Sequence, residues 1–277
     1  MRVRDIKVCI MRIEGTNCEE EAYLAFKRLG ANAEKVHLKQ LLGKCPSALR
    51  RDLSSYQILM IPGGFSAGDY VRAGAIWAAR MKSGISRELV RFVDSGKPVL
   101  GVCNGFQVLV ELGLLPAFEE TMASVPEAVL NTNDSSRFEC RPTFLRHDNA
   151  GKCVFTRGIQ KREVLMCPSA HAEGKFMLPK DKQKKLLERL IDSDQIVFRY
   201  SDAEGSRKPG YPWNPNGSLD DIAGICNPQG NVFGMMPHPE RVFTRYTHPD
   251  WTRSYPGPRG DGKAIFESVL EYAAGKF

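Results

Sequence analysis

The sequence predicts an α/β fold built on a parallel sheet, and three observations predict it. Residues 6–38 read as strand, helix, strand, the opening of a βαβ unit. Residues 56–61 form an apolar run that empties into a loop carrying Gly63, Gly64 and Gly68. Residues 97–107 read as a buried strand (Val99, Leu100, Val102), a turn with Cys103 flanked by Gly101 and Gly105, and the start of a helix.

The first strand spans 6–13, broken by Gly15 and Thr16. Asn17 is expected to cap the following helix, with Glu20 three residues on completing a capping box and Gly30 ending the helix. Residues 33–38 give a second strand, and 41–55 a less regular connection with a short helix. After the third strand and its glycine-rich loop, 71–81 and 85–94 read as two helices, with Gly96 as the stop. The helix opened by the cysteine turn runs to Gly113. Residues 128–131 and 138–145 read as strands around a polar loop, and 163–166 as a short strand leading to the 167–174 stretch. An amphipathic helix at 184–191, a strand at 195–200 and a turn-rich loop at 206–218 follow. Residues 222–226 and 232–236 flank a turn and read as a hairpin, 245–262 as a Pro/Gly-rich surface excursion, and 262–274 as a last helix. No repeat or linker divides the 277 residues, so 1–277 is read as one domain.

Hydrophobic residues make up 42% of the chain and charged ones 26%, enough for a large core. No apolar run reaches membrane-spanning length and the N-terminus lacks a signal-peptide layout. The eight cysteines show no Cys-x-x-Cys spacing, which argues against a metal site or disulfide framework and points to a reducing cytoplasm. The net charge of +7 is spread among acidic residues, so neither nucleic acid nor membrane is an expected partner.

The Gly101-x-Cys103-x-Gly105 spacing is the cysteine form of a nucleophile elbow, in which small residues let the chain turn sharply at a helix N-terminus. The alternative is an inert core cysteine. A nucleophilic cysteine needs a base and the base an orienting acceptor. Of five histidines, His238 is best placed: it follows an apolar strand directly, is fixed by Pro237 and Pro239, and has Glu240 two residues on. The glycine-rich loop offers a phosphate cradle, a backbone N–H facing the elbow, or a plain tight turn; no Walker or Gly-x-Gly-x-x-Gly pattern supports the first.

Gly101-Val-Cys-Asn-Gly-Phe-Gln107 together with Pro237-His-Pro-Glu-Arg241 resembles the class I glutamine amidotransferases. Pro62-Gly-Gly-Phe-Ser-Ala-Gly-Asp69, Ala170-His-Ala-Glu-Gly174 and Asn214-Pro-Asn-Gly-Ser218 are similar to the glutaminase subunits of phosphoribosylformylglycinamidine synthase. The resemblance spans nearly the whole chain. It implies a flavodoxin-like three-layer sandwich, with a mostly parallel central sheet flanked by helices and a smaller antiparallel sheet. It implies a catalytic triad of Cys103, His238 and Glu240, and a glutamyl thioester on Cys103. It places Gly64, Asn104 and Gln107 around the substrate and its oxyanion, and gives His171 and Glu173 a contact with partner or substrate. No metal or cofactor is implied in this chain; ATP and Mg2+ serve a synthetase subunit that receives the ammonia, alongside a small accessory subunit. Ala67 and Ala172 depart from the tyrosine and glycine of the family pattern, and residues 42–55 and 245–262 are extra length. Rival readings are another class I amidotransferase, a cysteine hydrolase on the same scaffold, or a non-catalytic module.

Overall fold

The computed structural model describes residues 1–253 and 260–277. β1 (Lys7–Arg12), α1 (Glu19–Arg28) and β2 (Asn32–His37) form the opening βαβ unit, with β1 and β2 parallel. Val8, Cys9, Ile10 and Met11 are all fully buried, as a strand covered on both faces requires. The helix begins later than the sequence suggests. Cys18, not Asn17, holds the N-cap position, no side chain caps it, and Glu20 pairs with Lys35 on β2. The reason is tertiary. The 15–18 turn pairs with the loop after the third strand, where the Cys18 N–H donates to the Gly63 carbonyl (3.3 Å), so this turn is shaped by the loop and not by a local capping box.

α2 (Leu38–Leu41) and two single turns, Ser47–Leu49 and Leu53–Ser55, lead to β3 (Ile58–Ile61). The 42–55 segment is not a free excursion: Leu53 is buried and Lys97 Nζ donates to the Ser54 carbonyl (2.6 Å). The two expected helices at 71–94 are one, α3 (Ala75–Asp94), bent at Ile85 (φ −134°, ψ 20°). Gly84 beside the bend leaves room for Leu42, whose Cδ2 lies 2.0 Å from where a Cβ would stand. β4 (Val99–Val102) runs into α4 (Asn104–Leu112), stopped by left-handed Gly113.

β5 (Val129–Thr132), β6 (Glu139–His147), β7 (Val164–His171) and β8 (Glu173–Met177) follow. Then come α5 (Gln183–Asp192), β9 (Ile196–Ser201), the hairpin β10 (Ile222–Cys226) and β11 (Val232–Met235), and α6 (Lys263–Lys276). The strand read at 163–166 therefore runs on to His171, and Glu173 opens the next strand. Pro168 hid the continuation. It sits opposite Pro142 of β6 on an edge strand, where neither ring costs a ladder bond. Of the 245–262 excursion, Arg245–Thr247 forms a single turn; residues 254–259 lie outside the described residues.

The central sheet has nine strands in the order β2-β1-β3-β4-β11-β10-β9-β6-β7, with β10 and β6 running against the rest; β5 and β8 form the small antiparallel sheet. β1 to β2 steps one way across the sheet and β3 to β4 the other. Right-handed crossovers then put α1 and α3 on opposite faces. α6 joins α1, their rings Phe26 and Phe266 meeting edge to face at 5.2 Å. Site-forming loops of such sheets gather at the carboxyl ends of the strands. Here the turns after β1, β3, β4 and β11 all lie there. The sheet also curls, so the far edge strand returns to this end: the His238 N–H donates to the Pro168 carbonyl (2.8 Å).

Candidate active site

Cys103 has φ 53° and ψ −110°, a conformation that non-glycine residues rarely hold. Such strain costs about 1–3 kcal/mol and persists only where the surroundings over-determine it. They do so here. The Cys103 N–H donates to the Met235 carbonyl of β11 (2.8 Å), and its own carbonyl accepts from the Phe106 and Gln107 amides (2.9 and 3.1 Å). The flanking glycines have packing reasons. A Cβ on Gly105 would stand 1.9 Å from the Ile61 carbonyl oxygen, and one on Gly101 2.5 Å from that of Gly105. Helix α4 thus lies directly against the end of β3, with the thiol at its tip.

The structure brings the three expected triad residues together. His238 leaves the end of β11 in extended conformation and Glu240 lies in the single turn Pro239–Val242. A tight turn, not an extended run, thus sets the pair. Nδ1 of His238 meets Glu240 Oε1 at 2.6 Å, with both side chains buried. Cys103 lies beside the ring: both residues line one cleft, and both are among the nearest neighbours of a Cβ built on Gly63. Burial opposes a charge on His238, but the Glu240 carboxylate and the Cys103 sulfur outweigh it and push its pKa up to about 10. Gly63 closes over the pair: a Cβ there would lie 2.8 Å from His238 Cε1 and 3.3 Å from Cys103 Cβ.

The triad opens into a cleft of ≈ 480 Å³ that Gly64, Gln107, His171 and Glu173 also line. Among the described residues, the amides of Gly64 and Asn104 have no protein acceptor. One sits on the β3 loop and the other at the first residue of α4. The Asn104 side chain does different work. Its Oδ1 accepts from the Ser66 amide and hydroxyl (3.3 and 2.5 Å), and its Nδ2 donates to Asp69 and Gln107 (3.2 and 3.0 Å). Gln107 in turn donates to the Glu173 carbonyl (2.5 Å), and Glu173 Oε2 accepts the Ala73 N–H (3.1 Å). This chain of bonds ties the β3 loop to the elbow and to β8. Asp69 sits in it with its pKa raised to about 6, chiefly by burial and then by the neighbouring Glu173.

Sequence reasoning missed Cys18, Arg241 and the Ala170 carbonyl. Cys18 lines the cleft, and Arg241 Nη2 contacts its sulfur at 3.1 Å across 223 residues. Burial first, then the Glu240 charge, pushes the Cys18 pKa up to about 12. Cys103 Sγ lies 3.6 Å from the Ala170 carbonyl on β7. No short-range pattern marks these three; only the identity of Arg241, next to Glu240, was a local hint. Cys18, His238 and Glu240 offer donor atoms within 4.8 Å of one another, the one such cluster among the described residues. Two of its members, His238 and Glu240, already engage each other.

A cysteine on a strained elbow at the carboxyl edge of a parallel sheet, backed by a glutamate-held histidine, defines a glutamine amidotransferase type of site. The chain belongs to the CobB/CobQ-like glutamine amidotransferase domain family, whose profile matches residues 5–273. It is 52% identical over 271 residues to the phosphoribosylformylglycinamidine synthase subunit PurQ of Archaeoglobus fulgidus, covering 97% of both chains. It is 46% identical over 260 residues to the subunit of the same name from Picrophilus torridus, covering 94% of this chain and 96% of that one. Among solved structures, PurLQS from Thermotoga maritima superposes with a TM-score of 0.70 at 31% identity, over 97% of this chain and 99% of that one. A glutamine amidotransferase of Thermotoga maritima, at 17% identity and TM-score 0.52, shares the fold.

Proposed function

We propose that this chain is the glutaminase subunit of phosphoribosylformylglycinamidine synthase, with Cys103, His238 and Glu240 as its catalytic triad. The meeting of these three side chains at the elbow carries the reading, and the similarity to PurQ subunits over nearly the full length supports the particular reaction. His238 takes the thiol proton, and the Cys103 sulfur attacks the side-chain carboxamide carbon of glutamine. The carbonyl π-electrons move onto oxygen, where the Gly64 and Asn104 amides hold the oxyanion. As the tetrahedral intermediate collapses, the C–N bond breaks and His238 protonates the departing nitrogen, which leaves as ammonia. The glutamyl thioester is then hydrolysed by a water that His238 deprotonates, returning the thiol and glutamate. Glu240 holds Nδ1 throughout and stabilises the imidazolium.

Ammonia passes to a synthetase subunit, which converts formylglycinamide ribonucleotide to the amidine in purine biosynthesis; a small accessory subunit completes the assembly. ATP and Mg2+ act there, and this chain holds no cofactor of its own. The whole chain works as one amidotransferase domain in the cytoplasm. No described helix is long and apolar enough to cross a membrane.

Labelling by a glutamine-mimicking electrophile, mapped by mass spectrometry in the complex with the synthetase subunits, tests the chemistry: label is expected on Cys103. Amidine formation tests the acceptor. If the synthetase makes amidine from ammonia but not from glutamine plus this chain, the assignment is wrong.

A further inference from the structure

The cleft holds a second buried imidazole, which the proposed triad does not use. His171 lies at the end of β7, 3% exposed, lining the same cleft as Cys103, and its Nδ1 has no partner. Its other nitrogen, Nε2, is 3.0 Å from Asn216 Nδ2. The amide orientation of Asn216 is set independently. Its Oδ1 accepts the Ser218 backbone N–H (3.0 Å) and the Ser218 hydroxyl (2.7 Å), and a backbone N–H can only donate. Nδ2 therefore faces His171, the Gly174 carbonyl (2.9 Å) and the Tyr200 hydroxyl (3.1 Å), with two hydrogens shared among them. An amide nitrogen cannot accept, so a proton on Nε2 would face a donor 3.0 Å away; this places the lone pair on Nε2 and the ring proton on Nδ1.

The Asn214–Ser218 turn is shaped for this task. Asn214 Oδ1 accepts the Gly217 and Ser218 amides (3.0 and 3.2 Å), and Asn216 is fully buried. Gly174 presses on the ring from the Nε2 side: a Cβ there would lie 2.2 Å from His171 Cδ2 and 2.3 Å from Nε2. The edge bearing Nδ1 faces away from Gly174. The ring is also kept neutral, since burial and the nearby His238 push its pKa down to about 3.

We propose that Asn216 is a positioning residue: clamped by Ser218, it holds His171 as the neutral Nδ1–H tautomer, and that N–H is a hydrogen-bond donor reserved for an oxygen of bound glutamine. A buried donor without an acceptor is destabilising, and an arriving acceptor removes that cost. The cleft thus holds two imidazoles with divided duties. His238 moves protons, while His171 offers one fixed donor and cannot protonate ammonia. The proposal rests on the glutaminase reading above and accounts for Gly174 and Asn216, which that mechanism does not use.

Imidazole 15N NMR on the unaltered protein reads the tautomer directly. Protonated Nδ1 and bare Nε2 on His171 are expected; the reverse, or a cationic ring at neutral pH, overturns the proposal. Variants in the complex with the synthetase subunits test the donor. His171→Asn keeps an N–H near the Nδ1 position, whereas His171→Gln places it near Nε2. His171→Gln and Asn216→Asp, whose carboxylate draws the proton to Nε2, should each lower kcat/KM for glutamine about tenfold or more, with His171→Asn recovering most of it. Equal losses in His171→Asn and His171→Gln, or none in any variant, overturn it. If wild type labels at Cys103 and turns glutamine over while the variants fail this pattern, only the tautomer proposal falls. If wild type has no glutaminase activity, both readings fall.

Discussion

Gly63→Ala tests whether the triad geometry is as tightly enclosed as the structure shows. The backbone at Gly63 is not left-handed, so alanine is conformationally admissible there and its effect must come from the added methyl. That methyl would sit 2.8 Å from His238 Cε1, whereas ordinary van der Waals contact begins at 3.4 Å, so the ring must retreat by about 0.6 Å, the difference between those two distances. It cannot retreat freely, because Nδ1 is held at 2.6 Å by Glu240 and the next nearest neighbours of the methyl are Cys103 Cβ at 3.3 Å and Cys18 Sγ at 3.4 Å. Overpacking of this kind costs about 1–3 kcal/mol of stability. Displacement of a catalytic group by a large fraction of an ångström costs up to about 100-fold in rate. Glutaminase kcat/KM, the rate of electrophile labelling at Cys103 and the melting temperature are the measurements. Gly275→Ala, where a Cβ meets nothing within 4 Å, is the control. A Gly63→Ala enzyme within about twofold of wild type in both turnover and labelling refutes the reasoning.

Cys103→Ala abolishes labelling and glutamine turnover while leaving ammonia-dependent synthesis by the partner intact, checked by assaying both nitrogen sources. Glu240→Gln lowers kcat about 10- to 1000-fold, less than loss of the nucleophile, since it removes an orienter and not a reacting group. For His238, whose folded pKa is raised from 6.5 to about 10, the triad's contribution to stability is full below 6.5 and lost as pH rises through about 10. The alkaline limb of kcat/KM should fall in the same range and move to lower pH in Glu240→Gln. Asp69 carries the opposite sign: its raised pKa, from 3.8 to about 6, costs stability above 6 and none below 3.8. Asp69→Asn should therefore melt higher than wild type at pH 8 and lose that advantage near pH 3.5, read by thermal melts at both pH values.

The parts of the fold and site visible in the sequence are those with a local cause. Val99, Leu100 and Val102 ahead of a cysteine between two glycines need no distant partner to be read as strand and elbow. His238 and Glu240 are two residues apart, so their pairing was legible too, although a single helical turn brings it about. What was hidden depends on segments remote in sequence. Asn17 looks like a cap only until the Gly63 carbonyl takes the Cys18 amide. The strand read at 163–166 shows no sign of running on to 171, because Pro168 has no N–H to give; only the facing Pro142 and the open strand edge make the ring harmless. Cys18 reaches the cleft only through the sheet order that brings β1 beside β3, and β7 reaches it through a curl no local pattern encodes.

The place of β11 in the sheet has a consequence for biosynthesis. It fills the slot between β4 and β10, although β4 leaves the ribosome more than a hundred residues earlier. Until residues 232–238 arrive, a nascent chain carries the thiol but neither the carbonyl of Met235 that holds Cys103 in its strained turn nor His238, the base proposed for it. With the proposed triad, translation itself would set the moment at which the site is complete. The same delay leaves one margin of β4 uncovered through much of synthesis, an opening for a chaperone or for misassociation with a neighbouring chain.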